Sequence, residues 1–388
     1  MKIRKQLLHY QLVLQSTSVS LYWLIWIYLF WITFGLFILY STTGFPSAVI
    51  YKNSLFFIKK QFCWTILSFV IIIALFKMKK RYFFLIGKIG TTINLLAINY
   101  TLLTNFSING ARRWVEIGPL LYQPVEIEKP FFLLCLSQLL TKTTELKYKE
   151  FVFLGLITLG TFLGIFLQPD FASGLLYLSI LFIIIFLQQL SYKHLILGIG
   201  FCLSFILFNI FLHPYQLNRI ISFIQTLGSE STTMNITQLN QSFETIIRGG
   251  FFGLGIGCGQ TTFESLPVYY ADFIFSVFLE NFGIFGSMFF FLFLSVYTSF
   301  YLSNFIKLIK KPDVIITLGC FLFLILQTCI HLGVTCNLLP ITGIPLPFVS
   351  YGGNAQLACI CLFSLSVRLF YENSRPVLPQ KEKKVISI

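Results

Sequence analysis

"LPVYYADFIFSVFLENFG", residues 266–283, places Asp272 at the start of a long apolar run and Glu280 eight residues inside it. Eight residues advance about 12 Å along a helix and return close to the same face. Glu280 is therefore expected below Asp272, toward the centre of a bilayer, if the run is a membrane span. The composition of the whole chain supports that reading. Of 388 residues, 56% are hydrophobic and only 11% are charged, against about 25% charged in an average soluble domain. The mean hydropathy is +0.81. Apolar runs recur from end to end without a long hydrophilic block, so the chain reads as one integral membrane domain over 1–388, with short tails at 1–20 and 373–388. The first strong run, Leu21 to Tyr40, is long enough to span and is followed by no small-residue cleavage site, so it is expected to be retained.

Windows of about 20 apolar residues place spans near 21–41, 54–76, 82–103, 121–140, 151–168, 171–190, 194–213, 272–302, 314–337 and 354–371. The expected fold is an all-α polytopic membrane protein of about ten transmembrane helices, with a large outer loop, 214–271, between spans seven and eight. Counting Lys and Arg between spans gives 19 on the side of the N terminus and 8 on the other, with Lys88 inside a span. The positive-inside rule then puts both termini in the cytoplasm. The net charge of +14 is accounted for by cytoplasmic loops on anionic lipid and calls for no nucleic acid.

Of the nine cysteines, Cys63, Cys135, Cys202, Cys320, Cys329, Cys359 and Cys361 are among those within apolar spans, where a thiol behaves as a small hydrophobe. They form no disulfide framework, and His9, His194, His213 and His331 add no zinc spacing. Without a phosphate-binding G-x-x-x-x-G-K, a nucleotide-driven pump is excluded as a leading reading.

Polar residues gather in three outer loops. The first carries Arg112, Arg113, Trp114, Glu116, Glu126, Glu128 and Lys129 within "ARRWVEIGPLLYQPVEIEK". Trp114 reads as an interfacial belt residue or as a substrate contact. Pro124 can open a helix on which Glu126 and Lys129 share a face, as a surface ion pair or, at membrane depth, as a site. The second loop contains Arg219, Arg248 and the glycine-rich "GGFFGLGIGCG". Its glycines suit either a backbone approach to phosphate or a tight re-entrant turn. The third, "LLPITGIPLPFVSYGGN", breaks a helix with Pro340, Pro345 and Pro347, and such backbone survives only under protein or beside a wet cavity.

Taken in order, "GARRW", "YQPVEIEK", "QPDFASG", "YQLNRI", "ADFIF" and "LLPITGIPLPFVSYGG" resemble the SEDS family of shape, elongation, division and sporulation proteins, which includes RodA and FtsW. The resemblance covers about residues 20–372, and "LLPITG" is closer to the RodA branch. It implies a peptidoglycan glycosyltransferase that polymerises lipid II at the outer face of the bacterial inner membrane. A class B penicillin-binding protein is its expected partner, alongside other elongation or division machinery. Asp272, Glu280, Lys129, Glu126, Trp114 and Arg219 match the family pattern, whereas Val125, Pro130, Ala271 and Asn281 depart from it. The changes at 125 and 271 remove hydroxyls beside matched charges.

Lipid II is an activated diphosphate donor, so no nucleotide is required. An acceptor hydroxyl must lose a proton, and Asp272 is the expected general base. Arg112, Arg113, Lys129, Arg219 and Arg248 are the expected cations for the diphosphate, with Trp114 and Glu126 also binding substrate. A divalent metal is compatible with this chemistry, but the sequence names no ligands for one. Glu280 is expected to have a structural or coupling role with a buried basic or hydroxyl partner. Pro345, Pro347, Ser350, Gly352 and Gly353 are expected to shape the last turn. A lipid II flippase or other polytopic carrier is the alternative, because broken helices and intramembrane charges also mark transporters, and a cell-wall scaffold is the third reading.

Overall fold

A computed structural model describes residues 2–104, 112–118, 120–141, 148–168, 170–187, 200, 221, 223, 234–257, 266 and 268–374, the side chains of 2–21 and 234–237 excepted. The elements are α1 (Lys2–Tyr51), α2 (Phe56–Lys77), α3 (Arg81–Leu103), β1 (Val115–Ile117), β2 (Leu120–Tyr122), α4 (Pro124–Thr141), α5 (Tyr148–Leu167) and α6 (Phe171–Leu187). They continue with α7 (Met234–Gly249), α8 (Tyr269–Asp272), α9 (Ile274–Phe305), α10 (Lys311–Thr335) and α11 (Gly353–Ser374). Among the described residues seven helices are long and apolar enough to cross a membrane: α1 from Tyr22, α2, α3, α5, α9, α10 and α11. The apolar α6 is shorter, and α4 carries Glu126, Glu128 and Lys129. The expected span at 194–213 lies outside the described residues.

The fold departs from the expected spans in three places. The first helix does not stop near residue 41 but runs to Tyr51. Ser41, Thr42 and Thr43 donate their hydroxyls to Ile38 and Leu39 carbonyls of the same helix at 2.6–3.0 Å, so they are satisfied without leaving it. The fourth span is preceded by a hairpin with Val115 opposite Tyr122 and Ile117 opposite Leu120. Its two-residue connection opens on Gly118 at φ +60°, the sign that tight hairpin turns demand. The loop 214–271 is not all loop, since it holds α7 and α8.

Helix α4 is the hub, packing on α3, α5, α10 and α11. Small residues permit the close approach: a methyl group added at Gly87 would lie 2.7 Å from Leu134 Cβ, and one at Gly319 would lie 2.2 Å from Leu133 Cδ2. Away from this core, Phe62, Ile66 and Ile73 on α2 and Leu85, Ile93 and Leu96 on α3 are exposed, as a lipid-facing surface requires.

The two ends of the bundle are distinct. At the α2–α3 end, Lys80 pairs with Asp313 and Arg368 with Glu372 at 2.6 Å, and Arg368 also donates to the Met78 carbonyl at 3.3 Å. The opposite, hairpin end carries β1–β2, Asp170, Asp272 and the turn between α10 and α11, which is linked to the hairpin by Asn354 Nδ2 donating to the Leu121 carbonyl at 2.7 Å.

Candidate functional site

Asp272 is the last residue of α8. The one-turn helix opens on Val268 at φ 55°, and Phe273 (φ −130°, ψ 23°) separates it from α9. Asp272 therefore stands at a break in the chain and is partly open, while residues 273–281 that follow it are buried. The turn between α10 and α11 holds its backbone. Ser350 Oγ donates to the Ala271 carbonyl at 2.7 Å and accepts from the Leu346 N–H at 2.8 Å, and the Tyr351 N–H donates to the Tyr270 carbonyl at 3.0 Å. Ala271, a departure from the family pattern in its side chain, thus contributes through its carbonyl. Gly343 (φ +73°) runs beside the carboxylate, so that a methyl group there would lie 3.9 Å from Asp272 Oδ2.

The turn is fastened from outside as well. Gln61 on α2 donates to the Ser350 carbonyl at 3.4 Å and accepts from the Gly352 N–H at 3.3 Å. A methyl group on Gly353 would lie 2.2 Å from Trp64 Cε2, so only glycine lets α11 begin against α2. The Pro345 carbonyl accepts from Gln327, and Pro347 lines an apolar cavity of about 20 Å³ with Trp31 and Tyr297.

Tyr270 lies beside Asp272. Burial, then Tyr51, then Asp272 push its phenol above the usual range, and burial followed by Glu128 raises Tyr122 to about 12. Both phenols are neutral near pH 7 and are poor proton acceptors, whereas a carboxylate is not.

The expected cations fall into different settings. Glu126 and Lys129 share one face of α4, as their spacing predicts, and Lys129 Nζ meets Glu126 Oε2 at 2.6 Å and Gln327 Oε1 at 3.0 Å. Lys129 is 1% exposed, so in this arrangement it does not face the surface. Arg113 faces Asp170 at 3.5 Å, and Asp170 also accepts from the Ser173 N–H at 3.3 Å, which caps α6. Arg112 is exposed and donates to the Leu102 carbonyl. Trp114 is partly buried at the entry to β1. Arg219 lies outside the described residues.

Arg248, expected to face the diphosphate, meets Glu280 with Nε to Oε1 at 3.3 Å. The glycine-rich segment after it explains why. Leu254 and Gly255 N–H groups donate to the Glu280 and Asn281 carbonyls at 2.8 and 3.1 Å, and Ile284 and Phe285 N–H groups donate to the Gly250 and Phe251 carbonyls at 3.1 and 2.9 Å. Helix α9 is broken at Gly283 (φ 65°, ψ −169°), and the loop supplies the hydrogen bonds lost there. Backbone meets backbone: methyl groups at Gly253 and Gly283 would each lie 2.3 Å from a carbonyl oxygen. The described glycines thus form a re-entrant crossing that places Arg248 on Glu280.

Sequence reasoning left out Asp170, although "QPDFASG" was in view, and also Gln61 and Gln327, each a lone polar residue in an apolar span. Among the described residues no three His, Cys, Asp or Glu side chains gather to hold a metal ion.

Fold and site define a multi-pass membrane protein with broken helices, buried ion pairs and a carboxylate anchored at its hairpin end. The family model for cell cycle proteins of the FtsW, RodA and SpoVE type matches residues 21–375, and the chain belongs to that family. A relative from Mesostigma viride named peptidoglycan glycosyltransferase FtsW is 33% identical over 353 residues, covering 90% of this chain and 84% of its own. One of the same name from Cyanophora paradoxa is 33% identical over 355 residues, covering 89% and 87%. Among solved structures, a chain from "Structural coordination of polymerization and crosslinking by a peptidoglycan synthase complex" matches with a TM-score of 0.74 at 23% identity, over 92% of this chain and 98% of that one. The rod shape determining protein RodA of Thermus thermophilus matches at 0.63 and 22%, over 91% and 97%.

Proposed function

We propose that this chain is a peptidoglycan glycosyltransferase that polymerises lipid II, serving cell shape or division, with the hairpin end on the outer face of a bacterial inner membrane and both termini in the cytoplasm. The observation that carries the reading is Asp272, a partly open carboxylate at a helix break, gripped by a turn from the far end of the sequence. An acceptor sugar hydroxyl attacks the donor's anomeric carbon. The new C–O bond forms as the bond to the diphosphate oxygen breaks, the proton passes to Asp272, and the electron pair leaves with the diphosphate. Arg112 and Arg113 stand at the same end to meet the developing charge. A divalent ion carried in on the diphosphate would need only one or two protein carboxylates and would supply charge neutralisation there; at this end the partly open carboxylate that would meet it is Asp272.

A flippase is the second reading, favoured by the break in α9 at Gly283, since discontinuous helices line transporter sites. Purified protein in vesicles with lipid II separates the two: glycan chains support the polymerase, and lipid II moved across the bilayer without chains overturns it. Assay of the same preparation with and without a chelator tests the metal. For the partner, this family fold and the crosslinking complex among its structural neighbours support a class B penicillin-binding protein, to be tested by co-purification. "LLPITG" argues for the RodA branch, whereas the two relatives above carry the FtsW name. Complementation of elongation-defective and division-defective strains decides between the roles.

A further inference from the structure

Gln327 on α10 belongs to no charged pair and reaches no surface, yet both ends of its side chain are used. It is completely buried. Its Oε1 accepts from Lys129 Nζ at 3.0 Å and its Nε2 donates to the Pro345 carbonyl at 3.0 Å. The orientation of the amide is dictated by chemistry, because an ammonium only donates and a carbonyl only accepts. No flipped amide satisfies both neighbours.

Those neighbours lead in two directions. Lys129 leads to Glu126 and the hub helix α4. Pro345 leads into the turn: Leu346 N–H to Ser350 Oγ, and Ser350 Oγ to the carbonyl of Ala271, the residue before Asp272. One helical turn along α10, His331 Nδ1 bonds the adjacent carbonyl, that of Ile344, at 2.9 Å. Two consecutive carbonyls of the turn are thus fixed to one face of α10, and Gln327 alone of the two side chains also grips the buried ion pair. Pro345 has no N–H to offer, so its carbonyl is the handle by which this stretch is held.

We propose that Gln327 is a positioning residue for Asp272: its side-chain amide sets the turn between α10 and α11 against the buried Glu126–Lys129 pair, and the turn in turn sets the height and direction of the Asp272 carboxylate. The inference rests on the reading of Asp272 as the general base. Gln327 itself touches no substrate. Losing it leaves Lys129 its Glu126 partner, so the buried charge stays compensated, while the turn loses one of its two fastenings to α10. A displacement of the reacting group by about 1 Å is enough to cost on the order of 10²-fold in rate.

The test is steady-state polymerisation by purified full-length Gln327→Leu, alongside Ser350→Ala, the double variant and Asp272→Asn, with thermal midpoints measured on the same samples. Gln327→Leu is expected to lower kcat about 10- to 100-fold with KM for lipid II within about twofold. The double variant is expected to be little worse than the poorer single one, since both act through one turn. If Gln327→Leu does not fold, Gln327→Glu carries the test, because it keeps the shape and the acceptor for Lys129 and replaces the donor to Pro345. A folded variant with kcat near wild type overturns the proposal, as does a loss of activity that only follows the thermal midpoint. Asp272→Asn separates the two levels: full activity there removes the base reading itself, whereas an inactive Asp272→Asn beside a normal Gln327→Leu removes Gln327 alone.

Discussion

At the α2–α3 end, charged pairs join helix ends that are otherwise regular; at the hairpin end and along α9 beneath it they stand where helices are broken. Lys80, Asp313, Arg368 and Glu372 tie the α2–α3 turn to the start of α10 and the end of α11. At the hairpin end, Arg113 faces Asp170 at the start of α6 and Asp272 sits between two helices, and deeper along α9 Arg248 meets Glu280, whose own carbonyl takes part in the backbone crossing. The pairing chemistry is the same. The difference is in the backbone around it: regular helix needs charges only as fasteners, whereas a break costs stability and persists where other groups compensate it. The break on which Asp272 stands, with the turn that grips it, marks the hairpin end as the site.

The largest expected effect is on Asp272. Asp272→Asn keeps size and removes the proton acceptor, so polymerisation should fall about 10²- to 10⁴-fold while protein level holds; near-normal rates at matched expression would break the comparison at its centre. Next comes the buried pair. Glu126→Gln strands the Lys129 ammonium with Gln327, a loss of about 3–5 kcal/mol for a broken buried pair, which thermal unfolding in detergent should register as a clearly lower midpoint. Gly283→Ala comes third, at about 3 kcal/mol from backbone conformation alone, read as loss of folded protein; a stable variant would remove the crossing as a structural necessity. Trp114→Ala is expected to raise KM about threefold to tenfold through a lost ring contact, and an unchanged KM leaves it as a belt residue. The smallest effect on turnover is expected at the other end, where Asp313→Asn breaks a pair far from Asp272 and should lower the thermal midpoint while leaving turnover within about twofold.

Much of this was legible in the residues. Apolar runs of span length announced the helices, because lipid leaves the backbone no other partner than itself. The Glu126–Lys129 pair was visible in a three-residue spacing on one helix. What stayed hidden depends on distance along the chain. Glu280 finds Arg248 32 residues away only because Gly253 and Gly283 let two backbones touch, and glycine counts alone do not tell a phosphate nest from a crossing. Helix α1 runs past the apolar window that ends near residue 41 for a local reason: the hydroxyls of Ser41 to Thr43 bond backward within the helix, so these polar residues need not end it. Gln327 carried no signal, because one amide in an apolar span looks the same whether or not it is held at both ends.

The crossing at Gly283 also bears on how the chain is made. Four backbone groups of α9, the carbonyls of Glu280 and Asn281 and the N–H groups of Ile284 and Phe285, are satisfied by residues 250–255. In hydrocarbon each such group left alone costs several kcal/mol. Residues 250–255 leave the ribosome before α9 does, so the partners are already waiting when the broken helix enters the bilayer. Synthesis in the reverse order would present lipid with a helix open in its first third, and a chain cut between the loop and α9 should insert well only if the N-terminal piece is supplied first.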